Sequence, residues 1–458
     1  MSAAKVIKQT DLPGNKRVWI YPKLIKGRLY KYRSLVSYLL LIPLFAGPFI
    51  KLNGEQLFLF DILERKFVVF GVVFMPQDFY LFVLATLSFI VFIVLFTSVF
   101  GRVWCGWACP QTIFMEMVFR KIEYWIEGDA KKQKELDAAP LSASKFVKKA
   151  SKHVIFALIS FLIANIFLAY FIGSDALLKI ITEPVGLHLV GFAAIVVFTA
   201  AFYLVFTKVR ELVCTVICPY GRLQEVLIDR KTLVVAYDYT RGEPRGHINK
   251  HSEAPTGDCV DCNLCVDVCP TGIDIRQGTQ MECINCTACI DACDMVMEKT
   301  HRPLRLIGFK SEEGVAESKP HSIGKRIYAY AAILAVLFGT LTFLLITRSD
   351  ISATVLRAGG TLYQMRDDGT VSNLYNAELI NKTTAPIRFS LVMPDNNTKI
   401  QYINKPGIIN KGESAKLTFF LIRPQHAVKK YKSRITLEIA AGGRTISSAK
   451  TTFIAPPN

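Results

Sequence analysis

Eight cysteines of this 458-residue chain form two runs with one spacing, in which gaps of two, two and three residues separate four cysteines. Three thiolates on a short loop can each ligate one iron of a four-iron cube, whereas the fourth has to come from the other loop. The spacing therefore predicts two [4Fe–4S] clusters with crossed fourth ligands. The first predicted ligand set is Cys259, Cys262, Cys265 and Cys293, and the second is Cys269, Cys283, Cys286 and Cys289.

Zinc ribbons and disulfides are the alternatives for these eight cysteines. Zinc sites usually take two Cys-x2-Cys pairs rather than two runs of four. Disulfides do not persist in a reducing compartment, and the basic charge of the other connections predicts that the connection carrying these runs is cytoplasmic. Both alternatives are therefore less favoured than two clusters.

The other four cysteines lie in WCGWACPQ at 104–111 and LVCTVICPY at 212–220. We call Cys105, Cys109, Cys214 and Cys218 the rim cysteines, because each pair follows a long uncharged run. Residues four apart share a helix face, so each pair is expected to present two sulfurs side by side, and the following proline suits a helix restart. Four converging thiolates suit Cu(I), zinc or a further iron–sulfur cluster. Buried structural cysteines are the alternative.

Five uncharged runs indicate a membrane protein, since a spanning helix needs about 20 apolar residues. They are residues 34–50, 79–101, 154–174, 184–207 and 327–347. The first run is the shortest and contains two prolines. Runs one and two resemble a duplicate of runs three and four, offset by 109 residues (214 minus 105). Such a repeat would bring both Cys-x3-Cys-Pro motifs to the same face of the membrane.

The connections between these runs differ in basic charge. Residues 1–33 hold nine Lys or Arg and 102–152 hold ten, whereas 51–78 hold three and 175–183 hold one. The positive-inside rule then predicts that the N-terminus, 102–152 and 208–326 are cytoplasmic. No cleavable signal peptide is expected. The net charge of +18 follows largely from this bias, so it predicts no nucleic-acid partner.

The last segment has a different pattern. Apolar residues alternate with polar ones at 387–393, 417–421 and 435–439, and turn-forming pairs separate these stretches. This alternation is typical of half-buried strands. The segment predicts a β-sandwich of immunoglobulin type outside the membrane, and it contains no cysteine.

The predicted fold class is an α-helical membrane protein of five transmembrane helices with a cytoplasmic two-cluster ferredoxin-like insertion and a C-terminal immunoglobulin-like β-sandwich. The basic N-terminus is 1–33, and the four-helix membrane region is 34–207, with its second motif extending to 219. The cytoplasmic region is 208–326, with the clusters at about 255–300. The fifth span is 327–347 and the β domain is 348–458.

These features together resemble the FixG/RdxA/CcoG family of cytochrome c oxidase accessory proteins. The resemblance rests on the spans, the two Cys-x3-Cys-Pro motifs, the β-rich tail and three stretches: YDYTRGEPRG at 237–246, GDCVDCNLCVDVCPTGIDIR at 257–276 and ECINCTACIDACD at 282–294. The membrane half is also similar to polyferredoxin-type subunits of quinol-linked systems. In one departure, Asp294 stands where a second proline is expected.

The resemblance implies a bacterial inner-membrane protein that reduces Cu(II) to Cu(I) for assembly of a cbb3-type oxidase. It implies a cytoplasmic electron donor, a copper transporter or chaperone, and oxidase subunits as partners. Two alternatives stay open: an electron conduit to quinone or a partner subunit, and a non-catalytic assembly scaffold. The sequence has no Rossmann glycine fingerprint, so its electron donor is expected to be another protein.

Overall fold

The computed structural model describes residues 19–52, 54–62, 66–74, 78–247, 257–317, 322–348, 351–360, 362–383, 385–395, 397–404, 407–428, 430–441 and 444–456. The chain divides into two compact units. The first unit comprises residues 1–50 and 85–338, and the second comprises 51–84 and 339–458.

Helices dominate the first unit. The α-helices of the chain up to the second Cys-x3-Cys-Pro motif are Arg28–Ala46, Phe79–Phe100, Val103–Trp107, Pro110–Ile113, Arg120–Ile126, Ala130–Ala138, Ala143–Ile172, Ser174–Thr182 and Leu189–Leu204. The later ones are Pro219–Leu227, Tyr239–Gly242, Leu264–Asp267, Ala288–Lys299, Glu312–Glu317 and Lys325–Ile346. The π-helical turns are Phe114–Phe119, Val205–Val209 and Val213–Ile217, and the 3₁₀ turns are Val185–Leu187 and Ile275–Gln277.

Four helices within the described ranges are long and apolar enough to cross a membrane: Phe79–Phe100, Ala143–Ile172, Leu189–Val209 and Lys325–Ile346. A helix suits lipid because it satisfies its own backbone hydrogen bonds. The second of these helices begins eleven residues before the uncharged run at 154, because Ser142 caps it by accepting a hydrogen bond from the Lys145 N–H at 3.2 Å.

The first predicted span corresponds to a helix with a basic start. Arg28–Ala46 is 19 residues long, contains Pro43, and is outside the four helices named above. It begins six residues before the uncharged run, so its first turns carry Arg28, Lys31 and Arg33.

The ferredoxin-like insertion is closed by one antiparallel pair of strands, Val234–Tyr237 and Ile307–Lys310. These strands lie before and after the two cysteine runs and hold the ends of the insertion together. Its core packs Val235, Ile290 and Met297 around the cysteines, and each of these side chains is at most 1% exposed.

Two antiparallel sheets form the C-terminal part of the second unit. One sheet has the order Lys399–Tyr402, Ser414–Pro424, Thr370–Asn381, Ile351–Arg357, with Gln364–Met365 paired to Thr370–Asn381. The other has the order Ile408–Ile409, Ile387–Val392, Lys432–Ala441, Arg444–Ile454. The strands predicted from alternation at 387, 417 and 435 are all present, and Phe389, Leu421 and Leu437 lie in the shared core.

A small β-region from the first connection belongs to the same unit. Its strands are Lys51–Leu52, Glu55–Gln56, Phe58–Asp61, Lys66–Val69 and Val72–Phe74. The carboxylate of Asp78, which is 3% exposed, pairs with Arg348 at 2.7 Å and with Lys382 at 2.5 Å. This buried pair joins the 51–84 segment to the C-terminal part of the unit.

Candidate functional site

The two cysteine loops of the insertion have the same backbone shape. The second cysteine of each run, Cys262 or Cys286, lies between two residues with positive φ. These angles are +50° and +58° at Asp261 and Asn263 in the first loop, and +52° and +67° at Asn285 and Thr287 in the second. Positive φ is uncommon for residues other than glycine, and Asn and Asp adopt it most readily. The repeat in spacing is therefore also a repeat in backbone conformation.

We call the space beside the first predicted set the first cysteine cavity. It measures about 360 Å³, counting the part open to solvent, and Cys259, Cys262, Cys265 and Cys293 line it. Arg276 also lines it and donates hydrogen bonds to Asp261 at 2.5 Å and Asn263 at 2.6 Å. The same guanidinium pairs with Asp274 at 2.7 Å. Arg276 thus fixes the first loop and is itself neutralised by two carboxylates.

The second cysteine cavity is of similar size, about 340 Å³ counting the part open to solvent, and Cys269, Cys283, Cys286 and Cys289 line it. Cys265 also borders this cavity, so the two cavities share a wall. Each cavity therefore brings together the four cysteines of one predicted crossed set.

The chemistry of these cysteines suits a multi-iron group. Burial raises the pKa of Cys265, Cys283 and Cys293 to about 12, so the free thiols are protonated at neutral pH and a thiolate-bound metal would displace the protons. Across the described ranges, no three Cys, His, Asp or Glu side chains converge closely enough to hold one ion. Because a cube binds each thiolate at a different iron, four cysteines spaced around a cavity fit it better than they fit a single ion.

The first Cys-x3-Cys-Pro motif spans a helix break. Cys105 lies in the helix Val103–Trp107, whereas Cys109 has φ −63° and ψ 125° and is the N-cap of Pro110–Ile113. The predicted restart at proline is present, but the expectation that both sulfurs share one helix face is wrong. Proline lacks an N–H and disfavours the helical conformation of the residue before it, so the first helix ends before Cys109.

The second motif repeats this arrangement. Cys214 lies in the π-helix Val213–Ile217, and Cys218, with φ −70° and ψ 112°, is the N-cap of Pro219–Leu227. The duplicated sequence thus produces a duplicated backbone break.

The segments that carry the two rim motifs nevertheless lie side by side. Cys105 Sγ donates to Gln224 Oε1, on the helix that begins in the second motif, at 3.0 Å, and Thr112 Oγ1, just after the first motif, lies 4.0 Å from Cys214 Sγ. No three of the rim cysteines converge closely enough to hold one ion as they are placed here. Burial raises the pKa of Cys105 to about 12, and the neighbouring thiols of Cys109, Cys214 and Cys218 act in the same direction.

The first rim motif lies directly against the second cysteine loop. A Cβ built on Gly106 would be 2.3 Å from the carbonyl oxygen of Ile284 and 3.0 Å from the Cα of Cys286, and only glycine fits there without a shift. Gly101, with φ +56°, approaches the Asn285 side chain in the same way at 3.1 Å. These missing side chains bring the rim backbone into contact with the loop that carries Cys283, Cys286 and Cys289.

Comparison with known families matches three segments of the chain. The family described as 4Fe-4S binding domain matches residues 82–132, and the 4Fe-4S dicluster domain matches 209–312. The family described as the Ig-like fold at the C-terminal of FixG matches 341–456.

Three relatives are similar over most of their length. Nitrogen fixation protein FixG of Rhizobium meliloti is 34% identical over 408 residues, with 80% of this chain and 77% of the relative covered. Protein RdxA of Cereibacter sphaeroides is 35% identical over 398 residues, covering 82% of each, and Protein RdxB of the same organism is 34% identical over 397 residues, covering 82% and 81%. The chain belongs to the FixG family.

A crystal structure of a FixG-related protein from Vibrio parahaemolyticus matches 23% of this chain and 97% of its own, with 21% identity and a TM-score of 0.21.

As a member of the FixG family, the chain is a ferredoxin-type 4Fe–4S electron-transfer protein with apolar membrane helices and an Ig-like C-terminal domain. The dicluster match includes all eight loop cysteines together with Cys214 and Cys218, and the 82–132 match includes Cys105 and Cys109. Both rim motifs thus fall inside segments that resemble iron–sulfur domains.

A third cavity, which we call the junction cavity, lies beside the rim cysteines. It measures about 300 Å³, counting the part open to solvent, and its wall includes Gln111, Glu116, Arg210, Cys214 and Thr271. Thr271 also lines the second cysteine cavity. Gln111 Nε2 and Arg210 Nε are buried donors without a hydrogen-bond partner among the described residues.

Sequence reasoning missed two buried arginines beside the rim motifs, Arg33 and Arg102, which are 4% and 5% exposed. Arg33 Nε donates to the Gly106 carbonyl at 2.7 Å, and Arg102 Nε donates to Gln224 Oε1 at 3.3 Å. In the sequence each arginine directly adjoins an uncharged run, which is the signal that could have singled them out.

Proposed function

We propose that this protein is a membrane-bound cupric reductase, in which electrons from a cytoplasmic donor protein reach Cu(II) at or near the rim cysteines. The Cu(I) that forms would pass to a copper transporter or chaperone and then to a cbb3-type oxidase. Soft sulfur ligands select Cu(I), so the rim cysteines suit the reduced product, and in this proposal their thiols move closer together than they lie here when the ion binds.

The contact between the first rim motif and the second cysteine loop carries this proposal. Gly106 packs on Ile284 and Cys286, and Thr271 borders both the second cysteine cavity and the junction cavity. Bound [4Fe–4S] clusters would supply one-electron chemistry at low potential. We assign Cys259, Cys262, Cys265 and Cys293 to one cluster and Cys269, Cys283, Cys286 and Cys289 to the other. The rim cysteines would then receive copper next to the second set.

A five-span topology belongs to this proposal, with the N-terminus and clusters in the cytoplasm and the C-terminal domain in the periplasm. The ion pairs of Asp78 with Arg348 and Lys382 support this topology, because they keep these three residues on one side of the membrane. The four apolar helices between residues 78 and 348 would return the chain to that side. The carboxylate of Asp291, in the insertion, accepts the backbone N–H of Tyr30 at 2.7 Å. Residues 30 and 51 would then lie on opposite sides of the membrane, which supports Arg28–Ala46 as an additional span before the four apolar helices.

The central experiment changes Cys105 and Cys109 together to serine. We expect both ferredoxin clusters to stay intact by electron paramagnetic resonance, while reoxidation of the reduced protein by Cu(II) is lost. Two sulfurs from the remaining motif would hold Cu(I) weakly against competing thiols. Ala108→Ser, which adds a hydroxyl between the two cysteines, is the control and should reoxidise normally.

A purely structural role for the rim cysteines would give a different result. Expression and cluster content would then fall together, as happens when buried packing is lost. Intact clusters with unchanged copper reduction in the variant lacking all four rim cysteines would refute the rim assignment.

The electron-conduit alternative is favoured by the junction cavity. Its unpaired donors, Gln111 Nε2 and Arg210 Nε, suit a ligand with acceptor oxygens, such as a quinone head group. Reoxidation of the reduced protein by a soluble quinone but not by Cu(II) would select this function.

A third cluster at the rim cysteines is favoured by the 4Fe-4S binding domain match over 82–132. Anaerobic iron and sulfide analysis separates the two cases. We expect about eight irons per chain for two cubes, whereas about twelve would assign the rim cysteines to a third.

A further inference from the structure

The two cysteine cavities differ in the charge beside them. Arg276, at the first cavity, pairs with Asp261 at 2.5 Å and Asp274 at 2.7 Å. Arg33 and Arg102, which approach the second cysteine loop, have no carboxylate within 4.0 Å in the described part of the chain. Isolated buried charges are costly, so a guanidinium in this position calls for a negative partner.

Arg33 lies beside the second set through Gly106. It donates to the Gly106 carbonyl at 2.7 Å, and Gly106 contacts the backbone of Cys286. The positive charge of Arg33 therefore lies next to the loop that carries Cys286. Glu116, a carboxylate close to the same region, is paired with Arg120 at 3.2 Å.

Arg102 lies between the second set and the rim. Its guanidinium and the Cys105 thiol bond the same Gln224 oxygen, at 3.3 and 3.0 Å. The residue before Arg102, Gly101, approaches the side chain of Asn285, which lies between Cys283 and Cys286 in the second loop.

The second set also has unused hydrogen-bond donors. Arg33 Nη2 and Asn285 Nδ2 are buried and have no partner among the residues that the structure describes. The Arg276 nitrogens facing the first loop all donate to oxygen atoms of Asp261, Asn263 and Asp274. Positive charge and donors to sulfur stabilise the reduced form of an iron–sulfur cluster, because reduction adds negative charge.

We propose that Arg33 and Arg102 are the counter-charges of the set Cys269, Cys283, Cys286 and Cys289, which makes that set the holder of the more easily reduced cluster. The two arginines are positioning residues, because they act on the cluster through its cysteine loop. This inference rests on the two-cluster assignment under the proposed function, but it does not depend on copper as the electron acceptor.

Redox titration followed by electron paramagnetic resonance tests the proposal on the full-length protein. Signals are assigned with Cys293→Ser for the first set and Cys269→Ser for the second. The second-set cluster should have the higher midpoint potential. Arg33→Gln and Arg102→Gln should each lower its reduced-to-oxidised ratio at least tenfold at fixed potential, a shift of 59 mV for one electron. The reduced-to-oxidised ratio of the first-set cluster, at the same fixed potential, should change by less than threefold.

Matched variants separate charge from structure. Arg33→Lys and Arg102→Lys keep the charge, so the reduced-to-oxidised ratio of the second-set cluster should stay within threefold of the wild-type ratio at the same potential. Arg326→Gln, which removes an arginine paired with Asp229 at 2.6 Å, should move neither potential. If a glutamine variant loses its cluster, the order of the two midpoint potentials in the wild-type protein and the second-set potentials of the lysine variants still test the proposal.

Three results would overturn the proposal: a first-set cluster that is the easier to reduce, equal shifts of both clusters, or glutamine variants that leave the second-set potential unchanged. If the two potentials are as expected but the protein does not reduce Cu(II), the cupric reductase assignment is refuted and this inference is still supported.

Discussion

The two cysteine loops are alike in sequence and backbone but differ in what they contact. Both have the same cysteine spacing and positive φ on either side of the middle cysteine. The first loop is fixed from within the insertion by Arg276. The second rests on Gly101 and Gly106, which follow the Phe79–Phe100 helix. A duplicated motif can therefore hold two similar groups in different surroundings, and those surroundings set their chemistry.

Loss of single cysteines should have the largest effect, and it tests whether the loops exchange their fourth ligand. Cys265→Ser and Cys293→Ser should remove or convert the same cluster, because both line the first cysteine cavity. Cys269→Ser should affect the other cluster, although Cys269 belongs to the first run in sequence. Resonance spectra of the three variants measure this, and different clusters lost in Cys265→Ser and Cys293→Ser would contradict the crossed assignment.

Arg276→Met should destabilise the first cysteine loop more than the second. Arg276 and Asp274 are 6% and 4% exposed in their side chains, and breaking a buried pair costs about 3–5 kcal/mol. We expect the first cluster to be lost at lower urea concentration, with the second retained. The measurement is the cluster signal across a urea series.

Arg302→Met is the control for this change. Arg302 donates to the neutral Gly257 carbonyl at 2.7 Å in the same insertion, so its loss should be milder. Equal sensitivity of both clusters to Arg276→Met would mean that the loops are not supported independently.

Local patterns predicted much of this molecule. Cysteine spacing grouped Cys293 with the first loop and Cys269 with the second, since a cube needs a distant fourth ligand, and the structure gathers each group around one cavity. Uncharged runs located four apolar helices, and period-two alternation located strands in the C-terminal part.

Features that depend on packing between distant segments were not predicted. The role of Gly106 depends on Ile284, which lies far away in the sequence, and one glycine between two cysteines carries no local signal of that contact. Arg33 and Arg102 were counted as loop charges, because the positive-inside rule treats every arginine at the end of an uncharged run alike, whether it is buried or solvated. The two cysteines of each rim motif were wrongly predicted to share one helix face, because their four-residue spacing was given more weight than the helix-breaking effect of the proline that follows.

Gly106→Ala tests whether the second loop depends on its contact with the rim motif. The added Cβ would lie 2.3 Å from the Ile284 carbonyl oxygen, and such overpacking costs about 1–3 kcal/mol. We expect slower reoxidation by Cu(II) and a second cluster lost at lower urea concentration than the first. In the matched variant Gly186→Ala, nothing lies within 4 Å of the new Cβ, and wild-type behaviour is expected. A Gly106→Ala protein with wild-type rates would show that this contact is not needed.

The smallest effect should come from making the second loop more like the first at one position. Thr287, with φ +67°, corresponds to Asn263, with φ +58°, and the left-handed conformation costs a β-branched residue about 1–2 kcal/mol. Thr287→Asn should therefore stabilise the second cluster against urea by up to about 1 kcal/mol, since the Thr287 hydrogen bond to the Cys286 carbonyl at 2.6 Å offsets part of the gain. The reverse change, Asn263→Thr, should destabilise the first cluster by more, because it adds strain and removes the Arg276 contact at 2.6 Å. Urea midpoints of the two cluster signals measure both changes, and a Thr287→Asn variant less stable than wild type would mean that the threonine hydroxyl matters more to the second loop than its backbone strain.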